Sequence, residues 1–326
     1  MHRYTQTEFQ ERVKHCVAND IDFLFFIDYP LEEFIIYPLA HVPSGVYYDF
    51  GGFSNYSKSV LLSASANFTF SKNPIGYPSY EKVLLNIQDE IRQGNGYLFN
   101  VTFPTPIKTN MSFEEIFAHS QARFKILHEP FVCFSPERFV QIKNNTISTY
   151  PIKGTIASDK QNATTEILNS EKELAEHTMV TDLLRNDLSI IGTNTRVEQF
   201  RYIDTIKAGD KELLQVTSKI SSDLEEGWQH RLDAILLHLL PAGSISGTPK
   251  KNVCQILERE EPHKRGFFSG VCGYYKDKEL DSFVMIRFIE KIANTLIYKS
   301  GGGITSDSDI KSEYEEMIEK VYVPIF

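Results

Sequence analysis

Apolar and polar residues alternate along this chain in two rhythms, and the switches between them outline its elements. Between residues 20 and 52, the runs DFLFFIDY, EEFIIYPL and GVYYDFGG are punctuated by Pro and Gly and predict three strands. Over 80–94, YEKVLLNIQDEIRQG places Val83, Leu84, Ile87 and Ile91 at helical spacing, closed by Gly94. GYLFNVTF returns to strand, and SFEEIFAHSQARF predicts a helix capped by Ser112, with Glu115 completing a capping box. PFVCFS, RFVQIK and TISTYPI predict three strands in succession. A long helix runs from Ser170 through KELAEHTMVTDLLRNDLSI, and RLDAILLHLLP predicts another, stopped by Pro241. TPKKNVCQILEREE predicts a third, with Thr248 as N-cap and Pro249 in its first position. FSGVCGYYK, DSFVMIRFIEKI and TLIYKS predict strands, GGGITSDSD a loop, and KSEYEEMIEKVY a closing helix. There is no short-period repeat and no low-complexity linker. Long strand runs of antiparallel type with clustered helices predict one α+β domain.

Composition narrows the class. The chain has 326 residues, 41% hydrophobic and 24% charged, enough to bury a substantial core. Its 23 Phe and 16 Tyr weight it toward sheets. A net charge of −9 lacks the basic footprint of a nucleic-acid binder, so no nucleic-acid partner is expected. No apolar run reaches about 18 residues, and the N-terminus lacks the pattern of a signal peptide, so no membrane association is expected. Cys16, Cys133, Cys254 and Cys272 are far apart with no C-x-x-C spacing and read as reduced packing cysteines, which points to the cytoplasm.

Candidate chemistry begins with carboxylates. Glu173 and Glu176 project from one helix face, about 5–6 Å apart at Cβ, and Glu313 and Glu316 do the same on the last helix. Four carboxylates converging from two helices repel one another unless a cation lies between them, and hard oxygen donors suit Mg²⁺. The E-x-x-E spacing also occurs at Glu8/Glu11, Glu258/Glu261 and Glu316/Glu319, and Glu173 can close a capping box with Ser170, so spacing alone does not decide. PAGSISGTPK and SGGGITSDSD each lead into a helix start, where N–H groups either hold an anion or form a plain turn and cap; neither fits a phosphate-loop or dinucleotide pattern. Arg287, a cation inside the apolar run VMIRFIE, serves a structural salt bridge or a substrate carboxylate. Glu137 in FSPERF is a surface partner or a buried acid or base, and His177 is packed or catalytic. Lys153 in YPIKGTI stands between strand formers and a Gly-Thr pair, either reaching out from a strand end or held inside.

Taken in order, SPERF, PIKGT, KELAEH-x-M-x-x-DLLRNDL, PAGSISGTPK, IRF, GGGI-x-x-DSD and EYEE-x-x-x-K resemble the chorismate-utilising enzymes over roughly residues 80–326, and within them the aminodeoxychorismate synthase component I branch. The resemblance implies a single α+β chorismate-binding domain over 1–326 of stacked sheets and helices around a central cavity, with 1–79 a shortened β-rich N-terminal region and 80–326 the catalytic core. It implies Mg²⁺ held by Glu173, Glu176, Glu313 and Glu316, binding the ring carboxylate of chorismate. Gly154, Thr155, Ser244, Gly301 and Gly303 would line the carboxylate-binding surfaces, with Arg287 on the enolpyruvyl carboxylate and Lys320 nearby. Anthranilate synthases, the alternative, carry a small residue where Lys153 stands. The resemblance therefore implies covalent attack by Lys153 at C2, Glu137 as acid for the departing C4 hydroxyl, and amination at C4 toward para-aminobenzoate and folate. A non-catalytic relative is the second alternative, against which the complete residue set argues.

The chain also departs from the pattern. Gln215 and Phe268 replace a histidine and a tyrosine, the short N-terminal region offers no counterpart to a tryptophan pocket, and no lysine base lies in GYLFNVT. None of the four cysteines stands in a glutaminase elbow, which implies a separate glutamine amidotransferase subunit or free ammonia.

Overall fold

The computed structural model describes residues 2–57, 68–208 and 211–325. Along the chain run α1 (Gln6–Ala18), β1 (Phe23–Ile27), β2 (Phe34–Pro38), β3 (Tyr47–Phe50), β4 (Phe70–Lys72), α2 (Tyr77–Arg92) and β5 (Leu98–Thr109). Then come α3 (Phe113–His119), β6 (Phe124–His128), β7 (Phe131–Ser135), β8 (Arg138–Lys143), β9 (Thr146–Thr149), β10 (Ile152–Ala157), α4 (Ala163–Asn169) and α5 (Glu171–Ile191). A long hairpin of β11 (Thr193–Ala208) and β12 (Lys211–Asp223) leads to α6 (Leu232–Leu239), β13 (Gly247–Thr248) and α7 (Lys250–Glu260). The chain closes with β14 (Val271–Lys276), β15 (Glu279–Val284), β16 (Phe288–Ile292), β17 (Thr295–Ile304) and α8 (Ile310–Glu319).

The strands form two antiparallel sheets. The first has the order β10-β12-β9-β8-β15-β14-β1-β2, with β11 also on β12. The second has the order β13-β5-β17-β16-β7-β6-β3, with β4 also on β5. Their facing sides share an aromatic core that includes Phe26, Phe50, Phe124, Phe131, Phe283 and Phe288. Helices α1, α5 and α6 cover the outer side of the first sheet, through Phe9, Leu184 and Leu236. Two further cores cover the second, one with α2, α7 and α8, the other with α3. The result is an α+β fold in four layers. FLFFI in β1 is buried throughout because Phe23, Phe25 and Ile27 face the helices while Leu24 and Phe26 face the other sheet.

The capping box predicted at Ser112 and Glu115 forms. Several boundaries differ from the periodic reading. DSFVMIRFIEKI is two strands in different sheets, because the chain crosses between them at Met285–Arg287 and Arg287 takes a φ of +54°. TISTYPI likewise breaks at Pro151 into β9 and β10. The predicted glycine loop begins inside β17, where Gly301, Gly302 and Gly303 pair with Thr102, Val101 and Asn100. Thr248 is not a cap, since it pairs with Leu98 and its carbonyl accepts from Tyr97 N–H. Pro249 holds the N-cap position instead. Helix α1 and the β11–β12 hairpin were not predicted, although Thr5 and Glu8 form a capping box that the T-x-x-E spacing announces.

One buried ion pair ties these layers at the place where the site forms. Arg265, 4% exposed, donates to both oxygens of Glu261, to Ile245 O at 2.8 Å and to Asn100 O. Glu261 Oε1 also accepts from Thr102 N and Oγ1, each at 2.9 Å. Replacing Arg265 by Met leaves that carboxylate buried without its counter-charge, and is expected to cost about 3–5 kcal/mol in urea unfolding. An Arg265→Met/Glu261→Gln double variant should recover part of this loss.

Candidate active site

A cavity of about 1520 Å³ opens between the β10 end of the first sheet and the β13–β5–β17 end of the second. This exceeds the roughly 300–1,000 Å³ of most small-molecule sites and leaves room for more than one reactant. Glu137, Lys153, Gly154, Thr155, Glu173, Glu176, Ser244, Arg287, Gly301, Gly303, Glu313, Glu316 and Lys320 all line it. Residues scattered over nearly two hundred positions are thus brought to one cavity.

Lys153 reaches the cavity through a defect in strand pairing. Ile152 pairs with Thr217 and Thr155 with Gln215, so Lys153 and Gly154 together oppose the single residue Val216. That is a β-bulge, which bends the strand and re-aims a side chain. Gly154 provides the left-handed φ of +81° that the bulge uses. The Lys153 ammonium lies 3.2 Å from Glu176 Oε2, on side chains only 18% and 13% exposed. It also lies 3.2 Å from where a Cβ on Gly303 would stand, so the glycine makes room for the amine.

Glu137 and Arg287 occupy the two crossings between the sheets, Glu137 between β7 and β8, Arg287 between β15 and β16. The crossings bond to each other, Val284 N to Glu137 O and Phe134 N to Arg287 O, both at 3.1 Å. Burial pushes the Glu137 carboxyl up from its ordinary range, opposed by a hydrogen bond from Ser244 Oγ to Oε1 and by the charges of Lys153 and Arg287. Arg287 lies over the Tyr322 ring, 5.4 Å from its centroid, and its buried Nε has no hydrogen-bond partner among the described residues. A guanidinium whose buried Nε has an unused donor is suited to a ligand oxygen.

The glutamates come from two helices. Glu173 and Glu176 stand on α5, whose cap is Ser170, and Glu313 and Glu316 on α8, capped by Asp309. Glu313 accepts from Ser308 Oγ at 3.1 Å. Lys320 pairs with Glu316 at 2.7 Å and donates to Gly301 O at 3.0 Å; burial pushes its ammonium down while Glu316 opposes the shift. Each pair of acids therefore has a lysine beside it. Among the described residues, no three His, Cys, Asp or Glu side chains are grouped closely enough to hold a metal ion as they stand. His177 is packed: fully buried, its Nε2 lies 2.6 Å from Ser218 Oγ, and burial lowers its pKa to about 4.

Asn100, Thr102 and Tyr322 also line the cavity without having been singled out. The signal for the first two lay in β5, where polar Asn100 and Thr102 alternate with the core residues Phe99, Val101 and Phe103. Of the departures, Gln215 donates to Thr155 Oγ1 at 3.4 Å, and Phe268 places a ring on the wall.

Comparison with known proteins agrees with this architecture. The chorismate binding enzyme family matches residues 60–325, and the chain belongs to that family. It is 42% identical over 327 residues to an uncharacterized PabA-like protein of Haemophilus influenzae, covering 100% of this chain and 99% of that one. It is 31% identical over 223 residues to aminodeoxychorismate synthase component 1 of Salmonella typhimurium, covering 64% of this chain and 48% of that one. In fold it is similar to the menaquinone-specific isochorismate synthase of Escherichia coli, at a TM-score of 0.75 and 16% identity over 98% of this chain and 82% of that one. No helix among the described residues is long and apolar enough to cross a membrane.

The bulge makes a prediction that needs no substrate. Gly154→Ala puts a Cβ 3.1 Å from Glu173 Oε2 and 3.3 Å from Ile167 at a left-handed φ. It is expected to destabilise the protein by about 1–3 kcal/mol, read as a lower urea midpoint at unchanged m-value.

Proposed function

We propose that this chorismate binding enzyme is an aminodeoxychorismate synthase component I, replacing the C4 hydroxyl of chorismate with ammonia to give 4-amino-4-deoxychorismate. The observation that carries the reading is the bulge that delivers the Lys153 amine into the cavity, against Gly303 and Glu176. An amine nucleophile at that point splits one substitution at C4 into two allylic ones.

In the first step the Lys153 ammonium gives up a proton, for which the Glu176 carboxylate is an acceptor in reach. The neutral amine bonds to C2, the two ring double bonds shift, and the C4–O bond breaks. Glu137, whose carboxyl burial shifts toward the protonated form, gives its proton to the departing oxygen, which leaves as water. Ammonia then bonds to C4, the double bonds return, and the C2–Nζ bond breaks. The proton shed by the incoming nitrogen restores Glu137. Arg287 presents guanidinium donors to the enolpyruvyl carboxylate, while Gly154, Thr155, Ser244, Gly301, Gly303 and Lys320 shape the surface around the substrate.

Glu173, Glu176, Glu313 and Glu316 would hold Mg²⁺, and their hard oxygen donors on one cavity suit it. Bound there, the ion supplies positive charge for the ring carboxylate. Cys16, Cys133 and Cys272 are buried, and Cys254 lies off the cavity wall, so none is placed as a glutaminase nucleophile. In this reading ammonia comes from a glutamine amidotransferase subunit or from solution, and the product feeds cytoplasmic para-aminobenzoate and folate synthesis.

The test is purified protein with chorismate, Mg²⁺ and ammonium salt, products separated and identified by mass and fluorescence. The 4-amino product is expected. Anthranilate as the main product would overturn the assignment in favour of amination at C2, and the absence of any turnover would point to a binding protein. Lys153→Ala should lower C4 amination by more than about a hundredfold or divert it; an unchanged rate removes the covalent step.

A further inference from the structure

The reaction as written gives no task to two of the motifs, RNDL in α5 and SGTPK at the entry to α7, yet the structure joins them. Lys250 Nζ lies 2.6 Å from Asp187 Oδ2 and also donates to Leu239 O at 3.1 Å. The two side chains are only 18% and 12% exposed, so the pair is largely shielded from water. A single ammonium thereby ties both ends of the segment 240–249 to α5. Gly243, in the middle of that segment, rests directly on the same helix. A Cβ there would stand 3.2 Å from Asp187 Oδ2 and 3.0 Å from Leu183 Cδ2. Ser244 follows, and its Oγ donates to Glu137 Oε1.

The rest of the segment is held from the other side. Ser246 Oγ donates to Ala242 O at 2.9 Å, and Arg265 Nη1 to Ile245 O at 2.8 Å. Arg265 therefore fixes the segment toward β5, while toward α5 it is held by the Asp187–Lys250 pair, by the close approach at Gly243 and by Ala242 and Ile245 in the core they share with Leu184. A hydroxyl that must meet one carboxylate oxygen depends on both supports.

We propose that the Asp187–Lys250 ion pair is a positioning clamp that holds Ser244 on Glu137, and through that hydroxyl controls how readily Glu137 gives up its proton. Asp187 and Lys250 touch no reacting atom; they act only through Ser244. The sign follows from the bond. Ser244 donates to the ionised carboxylate and so favours it. Loosening the clamp therefore raises the midpoint of Glu137, while the charges facing it, Lys153 from β10 and Arg287 from the β15–β16 crossing, stay in place.

The idea rests on Glu137 being the acid of the proposed reaction, so its test has one arm that needs no reaction. In ligand-free protein with ¹³C-labelled glutamate carboxyls, the Glu137 signal is assigned by its loss in Glu137→Gln and titrated. Ser244→Ala is expected to raise its midpoint by up to roughly one pH unit. Lys250→Met and Gly243→Ala should each raise it in the same direction, and Lys250→Arg should stay near the wild type. Lys250→Met added to Ser244→Ala should raise it no further. In the second arm, the alkaline limb of kcat/KM for amination moves up with the carboxyl midpoint. A folded Lys250→Met or Gly243→Ala protein with the wild-type midpoint, beside a shifted Ser244→Ala, overturns the clamp. So does an additive double variant. Gly243→Ala, which displaces the segment without unpairing a charge, decides the matter where Lys250→Met fails to fold. If chorismate is not turned over at all, the reading of Glu137 as acid falls while the titration still decides the clamp.

Discussion

Two adjacent chain crossings between the sheets set everything else at the site. Strand β8 pairs with β15 in one sheet, and β7 pairs with β16 in the other. The chain must therefore pass between layers twice at one place, once through Pro136 and Glu137 and once through Met285, Ile286 and Arg287. Each crossing satisfies backbone groups of the other, which a pair of buried turns needs. An acid and a guanidinium are thereby fixed side by side before any ligand arrives. The aromatic core between the sheets lies behind them, and the cavity opens in front.

From that fixed point the cavity is furnished from two sides. Lys153, Glu173 and Glu176 come from β10 and α5, while Glu313, Glu316 and Lys320 come from the region of α8 and β17. Acids in a partly dehydrated cavity are costly unless neutralised. Here a lysine does that on each side, through Lys153–Glu176 and Lys320–Glu316. The arrangement keeps both charge types in the cavity, ready to exchange partners with an anionic substrate and a cation. Glycine makes the approach feasible. A side chain at 303 would press on Lys153, whose Nζ lies 3.2 Å from the missing Cβ, while one at 302 would stand in ordinary contact with Glu313 and Lys320.

Sequence patterns disclosed the α+β class, most helices and a set of residues that line one cavity, and were weakest where the backbone breaks its own period. The run from Phe283 to Ile289 is continuous in apolarity apart from Arg287 because both sides of the crossing are buried, so nothing else in it marks the change of sheet. Arg287 was the only irregular residue there, and it sits at the break. Residues 193–223 were unread because β11 is half polar and mostly exposed, held by pairing to β12 rather than by a buried face, with register shifts along its length. The glycine run at 301–303 reads as a loop by composition, yet β5 supplies it with strand partners. Lys153 stood out by its flanks, but the two-for-one pairing that aims it is a property of β12 as much as of YPIKGTI.

The residue at position 215 bears on how the site treats protons. Gln215 lies on β12 directly opposite Thr155, and its amide donates to the threonine hydroxyl. An amide keeps the same charge at every working pH, whereas an imidazole changes its charge near neutrality. A hydroxyl that accepts from Gln215 retains its own proton for a ligand. Phe268, on the same cavity wall, offers no donor at all. His177, the nearest imidazole along α5, is buried against Ser218 and held neutral. With no imidazole at positions 215 and 268, proton donation to the departing oxygen rests on Glu137 in the proposed reaction, and the bonds that hold Ser244 against it matter correspondingly more.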